Sequence, residues 1–257
     1  WVRFFYIQRK MYKFHIVVPF YNAENYIEKN IKSIQDQNFK NFKVSIINDC
    51  SSDESNKKIL PLVENDKRFN IINNKINCGA LANIINVLSK DENEPSKTID
   101  VLLDGDDYLL ANDVLDIINF TYSRTKCLLT YGSFIRKSDG KLYGRKYPIR
   151  SINKREFRKI PWFAYPLRTF RHDLYQNIDQ NDLKDEEGKY YSSGWDVALM
   201  LPMLEMAEYR QEFIADPLYF YNDDNPICDH KLRRKEQEFF EKQIRDKPIY
   251  KKIHLPY

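Results

Sequence analysis

Two short apolar runs that end abruptly in polar groups constrain this chain more than anything else in it. In HIVVPFYN, at 15–22, the strand-like Ile16-Val17-Val18 meets Pro19, which ends pairing, and then Tyr21 and Asn22. In VLLDGDDYL, at 101–109, Val101-Leu102-Leu103 meets Asp104, Asp106 and Asp107 around the single Gly105. A short continuous apolar run is how a strand buried on both faces reads, and open α/β sheets bind ligands beyond the carboxyl ends of their strands. One such end offers a flat aromatic ring and the other offers carboxylates. Together they suit a nucleotide diphosphate and its metal.

Between and beyond these runs, strand and helix patterns alternate from Phe14 to about Ile135, the mark of a mostly parallel sheet with helices on both faces. Strands are expected at Phe14–Val18, Val44–Ile47, Asn70–Ile72, Thr98–Leu103 and Cys127–Phe134. Helices are expected at Ala23–Gln37, where Ile27, Ile31 and Ile34 recur at helical spacing, then from Ser52 or Asp53 to about Asn65, at Gly79–Leu88 and at Asn112–Tyr122. Residues 137–193 lose this regularity and read as a substrate-facing stretch with short helices, being long for a structureless loop. A helix returns at Val197–Ala207, with Pro202 as a possible kink, then a strand at Phe213–Tyr221 and a charged helix at Lys231–Asp246. The expected division is an extension at 1–13, a nucleotide-binding half at 14–135, an acceptor-binding half at 136–230, and a charged helix and tail at 231–257.

The 257 residues are 42% hydrophobic and 30% charged, enough for a sizeable core, and no apolar run approaches the roughly 18–20 residues that span a bilayer. The balance of 41 basic against 37 acidic residues gives no reason to expect nucleic acid as a partner. Cys50, Cys78, Cys127 and Cys228 are scattered without zinc spacing and read as free thiols of a reducing compartment, so a cytoplasmic protein is expected. Residues 1–10, ahead of Met11, read as a linker or the tail of an upstream domain.

Asp104 and Asp106, two apart on a tight turn, can point oxygens at one hard cation, Mn²⁺ or Mg²⁺, while Asp107 reads as a cap for the next segment. The turn is no calcium loop of the EF-hand kind, because Leu115 stands where the closing Glu belongs. Asp49 at the second strand end can accept the ring N–H of a base, with Ser51 and Ser52 offering hydroxyls, although Ser-Ser-Asp also makes an ordinary helix cap. Asn77-Cys78-Gly79, with Asn83 one turn on, is a further polar strand end. Four such clusters after consecutive strands should converge on one sheet edge.

At this point the chain resembles the family 2 glycosyltransferases of the GT-A fold, a Rossmann-like nucleotide-binding half joined to an acceptor-binding half. The matching segments are VVPFYNAENYIEKNIKSIQDQ at 17–37, VSIINDCSSDES at 44–55, NCGALANIINVL at 77–88 and LLDGDDYL at 102–109. The resemblance implies a UDP-sugar donor, with Pro19 and Tyr21 flanking the base, Asp49 on the uracil ring, and Asn22, Glu24, Ser51, Asn77 and Gly105 around the nucleotide. It puts Asp106 on the metal and Asp104 on metal or ribose. Inverting members carry an acidic pair at the start of a later helix; here SSGWDVALM places Asp196 as the general base, and Trp195 departs from the pair. The acceptor it implies is a hydroxyl on a glycan, a lipid-linked carrier or a protein.

His230 resembles the histidine that completes the metal shell in some members, and Arg168, Arg171 and His172, amid Trp162, Phe163 and Tyr165, could line an acceptor or phosphate site. The terminal basic helix, with Phe239, Phe240 and Ile244, either packs its stripe on the domain or lies against an anionic membrane surface. Two other readings remain open. One is a non-catalytic nucleotide-sugar binder or a subunit of a glycosylation complex. The other is a phosphatase of the haloacid dehalogenase type, disfavoured by Tyr108 two places past the second Asp and by the strand's fourth position.

Overall fold

The computed structural model describes residues 11–256. Of the expected extension, 1–10 lie outside the described residues, and Lys13 already belongs to the first strand. The first half reads β1 (Lys13–Phe20), α1 (Ile27–Gln35), β2 (Phe42–Asn48), α2 (Ser55–Val63), β3 (Phe69–Asn73), α3 (Ala80–Leu88), β4 (Thr98–Leu102), β5 (Tyr108–Leu109), α4 (Val114–Thr125) and β6 (Leu129–Arg136). The second adds β7 (Leu142–Tyr143), α5 (Ile149–Asn153), β8 (Arg168–Arg171), α6 (His172–Tyr175), α7 (Trp195–Ala207), β9 (Gln211–Tyr221), α8 (Asp229–Leu232) and α9 (Arg234–Asp246).

Among the described residues one sheet carries all nine strands, in the order β3-β2-β1-β4-β8-β6-β9-β5, with β7 on β6. β3, β2, β1 and β4 are mutually parallel, as their apolar runs foretell. Beyond β4 the sheet is mixed: β8 runs antiparallel to both β4 and β6, whereas β6 and β9 are parallel. The period of two along β1 divides the core. Phe14, Ile16, Val18 and Phe20 pack under Ile27, Ile31 and Ile34 of α1 and Val114, Ile118 and Tyr122 of α4. Val17, with Ile47 and Leu102, faces Leu81 and Ile84 of α3 and the buried length of α7.

β8 is a strand the sequence hides. RTFR carries two arginines, yet it lies between β4 and β6 with Arg168 and Arg171 only 8% and 1% exposed. Each charge is matched: Arg168 pairs with Asp196, and Arg171 with Asp173 and the carbonyl of Pro256. α7 runs unbroken through Pro202. Its buried Glu205 meets Arg158 at 2.5 Å, so this helix holds one ion pair inside an apolar contact.

The charged terminal helix is two helices, parted at Arg233. Its stripe faces the protein: Ile244 is buried and Phe240 stacks edge-on against Tyr191 with centroids 5.3 Å apart. Arg245 of the same helix donates to the carbonyls of Phe157, Arg158 and Ile160. Phe239 and Leu232 stay exposed. No helix among the described residues is long and apolar enough to cross a membrane.

Candidate active site

A cleft of about 650 Å³ opens beyond the carboxyl ends of the parallel strands. Pro19 lies near the end of β1 and Tyr21 follows it, Asp49 follows β2, Asn77 and Gly79 lead into α3 and Asn83 lies in its first turn, and Asp104, Gly105, Asp106 and Asp107 follow β4; all line it. Trp162, Arg168, Trp195 and Asp196 form the facing wall, and Leu232, Arg233 and Gln237 close a side. The four sequence clusters therefore do meet at one edge, and the terminal helices contribute a wall that their charge pattern did not announce.

The acidic turn is held hard against β1. Leu103 and Gly105 donate to the carbonyls of Val17 and Pro19, and the buried amide of Asn30 donates to the carbonyls of Asp104 and Asp107, each at 2.9 Å. A Cβ on Gly105 would stand 2.4 Å from the Cβ of Phe20, so only glycine permits this approach. Replacing Gly105 by Ala should force the turn off β1, lower stability by about 1–3 kcal/mol and weaken nucleotide binding. Thermal unfolding with and without UDP checks both.

Asp107 differs from its neighbours. It is buried, with one oxygen accepting from the Tyr219 hydroxyl at 2.5 Å and the other from the Asn222 amide at 2.7 Å. The expected cap is instead a brace tying the turn to the end of β9. Burial, with the charges of Asp106 and Asp104 added, raises its pKa well above the ordinary carboxylate value. Asp106 is also raised by burial, against the lowering effect of the Asn225 amide that donates to it at 2.7 Å. Two carboxylates, Asp104 and Asp106, thus remain to face the cleft as a hard oxygen donor pair, in surroundings that penalise uncompensated negative charge. They fit Mn²⁺ or Mg²⁺.

Asp49 is only 4% exposed and accepts from the Cys78 and Gly79 amides, each at 2.8 Å, and from Asn74 at 2.9 Å. Its carboxylate fixes the entry to α3 while its edge still lines the cleft. Asn77 donates to the Asp49 carbonyl. Asn22, Glu24 and Ser51 lie outside the cleft lining and join the β1 loop to the β2 loop instead. Ser51 Oγ accepts from Asn22 N at 3.0 Å, Asn22 Oδ1 from Ser52 N at 2.9 Å, and Glu24 Oε2 from Glu54 N at 2.9 Å.

On the facing wall, Asp196 sits in the first turn of α7, where a carboxylate complements the helix dipole. Its Oδ2 accepts from Arg168 at 2.6 Å and from the Trp162 indole at 3.1 Å. Among the described residues, Oδ1 receives no hydrogen bond. The Arg168 guanidinium lies 5.6 Å from the ring centre of Trp195. Arg171 and His172 do not join this wall. Arg171 is turned to Asp173, and the buried His172 Nδ1 sits 2.8 Å from Asp100. The side chain of His230 lies outside the described residues.

The family model for Glycosyl transferase family 2 matches residues 15–179, more than half of the chain. The chain belongs to glycosyl transferase family 2. Membership of this family, matched from His15 of the first strand through the acidic turn, removes the phosphatase alternative. The chain is similar to the minor teichoic acid biosynthesis protein GgaA of Bacillus subtilis, 27% identical over 240 residues that make up 88% of this chain and 48% of that protein. It spans about half the length, or less, of the curated relatives it matches. In structure it is similar to S. aureus TarS 1–349 in complex with UDP-GlcNAc, with a TM-score of 0.61, 19% identity, and 82% and 58% of the two chains covered. A mannosyltransferase from Pyrobaculum calidifontis in complex with GDP-Man and Mn²⁺ gives a TM-score of 0.59 and 17% identity, covering 93% and 66%. These likenesses identify the fold as GT-A.

Sequence reading missed the supports of this family 2 cleft. Asn30 was detectable, as a polar residue on the apolar stripe of Ile27, Ile31 and Ile34. Tyr219 and Asn225 reach the acidic turn from more than 110 residues away, and nothing local marks them.

Proposed function

We propose that the chain transfers a sugar from a UDP-sugar to an acceptor hydroxyl with inversion, assisted by Mn²⁺ or Mg²⁺ held by Asp106 and Asp104. One observation carries the reading: the acidic turn and Asp196, some 90 residues apart, line the same cleft. Pro19 and Tyr21 would flank the base and Asp49 would take its ring N–H. The ion, when bound, supplies positive charge to the diphosphate.

The chain's own residues supply the rest. Arg168 and Trp162 fix Oδ2 of Asp196, which leaves Oδ1 to accept the proton of the acceptor hydroxyl. The freed oxygen attacks the anomeric carbon from the face opposite the diphosphate, and the carbon–oxygen bond to the diphosphate breaks with its electron pair leaving on UDP. Trp195, at the mouth of this wall, offers an apolar face to a sugar ring. The acceptor is a glycan, a lipid-linked carrier or a protein hydroxyl. Action from the cytoplasm with peripheral membrane contact would use the exposed Phe239 and Leu232 on the terminal helices.

The test is a screen of UDP-, GDP- and CMP-sugars with Mn²⁺, reading nucleotide release with and without EDTA. Release from one UDP-sugar that EDTA abolishes is the expected result. Release only from GDP- or CMP-sugars would overturn the UDP assignment, and EDTA-resistant release would overturn the metal. UDP binding with no release from any donor, even with candidate acceptors added, would favour a non-catalytic binder.

A further inference from the structure

At the opposite ends of β1 and β4 from the cleft lies a buried polar cluster that glycosyl transfer does not use. His15 of β1 and Asp100 of β4 are neighbours across the parallel ladder, and Asp91 reaches them from the loop that leaves α3. The side chains of all three are at most 1% exposed. His15 Nδ1 stands 2.7 Å from Asp91 Oδ2 and 3.5 Å from Asp100 Oδ1. These three atoms are buried and face no other donor among the described residues, and the three residues bring one ligand atom each within 4.8 Å of the others, so whatever sits among them is shared by all three.

What holds the three side chains is on their far sides. His15 Nε2 meets Ser45 Oγ at 2.9 Å, Asp91 Oδ1 accepts from Lys43 Nζ at 2.7 Å and Asn93 N at 2.9 Å, and Asp100 Oδ2 meets His172 Nδ1 at 2.8 Å. In the neutral tautomer that donates Nε2–H to Ser45, Nδ1 turns its lone pair toward the two carboxylates and is free to ligate. Two buried carboxylates beside one imidazole nitrogen call for positive charge at that point, which a proton on Nδ1 supplies in the metal-free chain and a divalent cation can supply in its place.

We propose that His15, Asp91 and Asp100 form a second divalent-cation site, separate from the donor cleft and suited to Zn²⁺. One imidazole nitrogen and two carboxylate oxygens are a ligand set this ion takes with a water in the fourth position, whereas Mg²⁺ favours oxygen and keeps its waters. Two carboxylates offset most of the charge of a dication, with Asp91 shared between the ion and Lys43. Ser45, Lys43, Asn93 and His172 act as the outer partners that orient such ligands. Because Asp91 belongs to a connecting loop, the ion would clamp that loop to the centre of the sheet. The site is independent of the donor reading, since none of its residues lines the cleft.

The test uses the whole chain stripped of metal by a chelator and titrated with Co²⁺, then Zn²⁺. We expect one Co²⁺ equivalent with visible d–d absorption, displaced by Zn²⁺, and a thermal midpoint several degrees higher with Zn²⁺ than with chelator. The absorption should persist in Asp106→Asn, which disables the cleft pair, and vanish in Asp91→Asn and His15→Gln. His172→Gln, which removes only an outer partner, should weaken Zn²⁺ affinity roughly 10–100-fold. Absence of cobalt absorption in the wild-type chain, or its loss in Asp106→Asn with retention in a folded Asp91→Asn, would overturn the site. The wild-type and Asp106→Asn titrations remain decisive even where a substitution in β1 prevents folding.

Discussion

Asp196→Asn should lower the turnover number by about 10²–10⁴-fold while leaving UDP affinity within a few fold, the signature of a lost general base. The replacement keeps the side chain's size and one carbonyl oxygen. That oxygen can still accept from Arg168 and Trp162, so the wall keeps its shape. The atom that changes is Oδ1, the one with no donor among the described residues, which becomes an NH₂ and presents a hydrogen where the acceptor hydroxyl needs a lone pair. On the proposed reading the donor is held by Pro19, Tyr21, Asp49 and the acidic turn, which line the opposite side of the cleft, so its binding should be indifferent to the change. Single-turnover rates at saturating donor, beside calorimetric UDP titrations, separate the two quantities. Turnover equal to wild type would remove Asp196 from the chemistry. A parallel loss of UDP affinity would show that the substitution collapsed the wall rather than removed a base.

The same geometry shows why the cleft was legible in the sequence and its scaffold was not. Parallel strands must be buried on both faces, so each announces itself as an apolar run, and the polar residues after it fall at the binding edge by topology alone. Pro19, Tyr21, Asp49, Asn77, Asp104 and Asp106 were visible on that ground. Asn22, Glu24 and Ser51 have the same composition and stand beside them, yet they bond loop to loop. Residue type and spacing do not tell which of these polar residues line the cleft and which join its loops, because both positions use amides, hydroxyls and carboxylates. β8 failed for the opposite reason. A central strand with arginines at both ends violates the apolar-run rule, and it is stable only because Asp196, Asp173 and the Pro256 carbonyl arrive from distant parts of the chain. Asp107 looked like a cap because caps are local; its partners, Tyr219 and Asn222, are more than 100 residues on.

Asp106→Asn should abolish most of the metal-dependent part of UDP binding, with a loss on the order of 10²–10³-fold, several kcal/mol of charge compensation. The cleft gathers Asp49, Asp104, Asp106, Asp107 and Asp196, and Arg168 is already engaged by Asp196. A diphosphate entering such a wall meets like charge, and burial pushes the carboxyls of Asp106 and Asp107 up from the ordinary carboxylate value, so negative charge on the turn is disfavoured without a counter-charge. Asp104 and Asp106 holding a divalent ion would resolve both problems together, because the bound charge would offset the turn and favour the diphosphate. The asparagine retains the size of the side chain and an oxygen toward Asn225 but removes the negative charge that, on the proposed reading, would hold the ion. Calorimetry should therefore show wild type and variant alike in EDTA, and unlike in Mn²⁺, with part of the difference recovered at high Mn²⁺ as Asp104 alone binds weakly. Equal affinity in both proteins with Mn²⁺ present would mean that Asp106 holds no ion. UDP binding by the wild type that ignores EDTA would mean that the charge of the turn is balanced in some other way, and the acidic turn would then be a structural corner of the sheet.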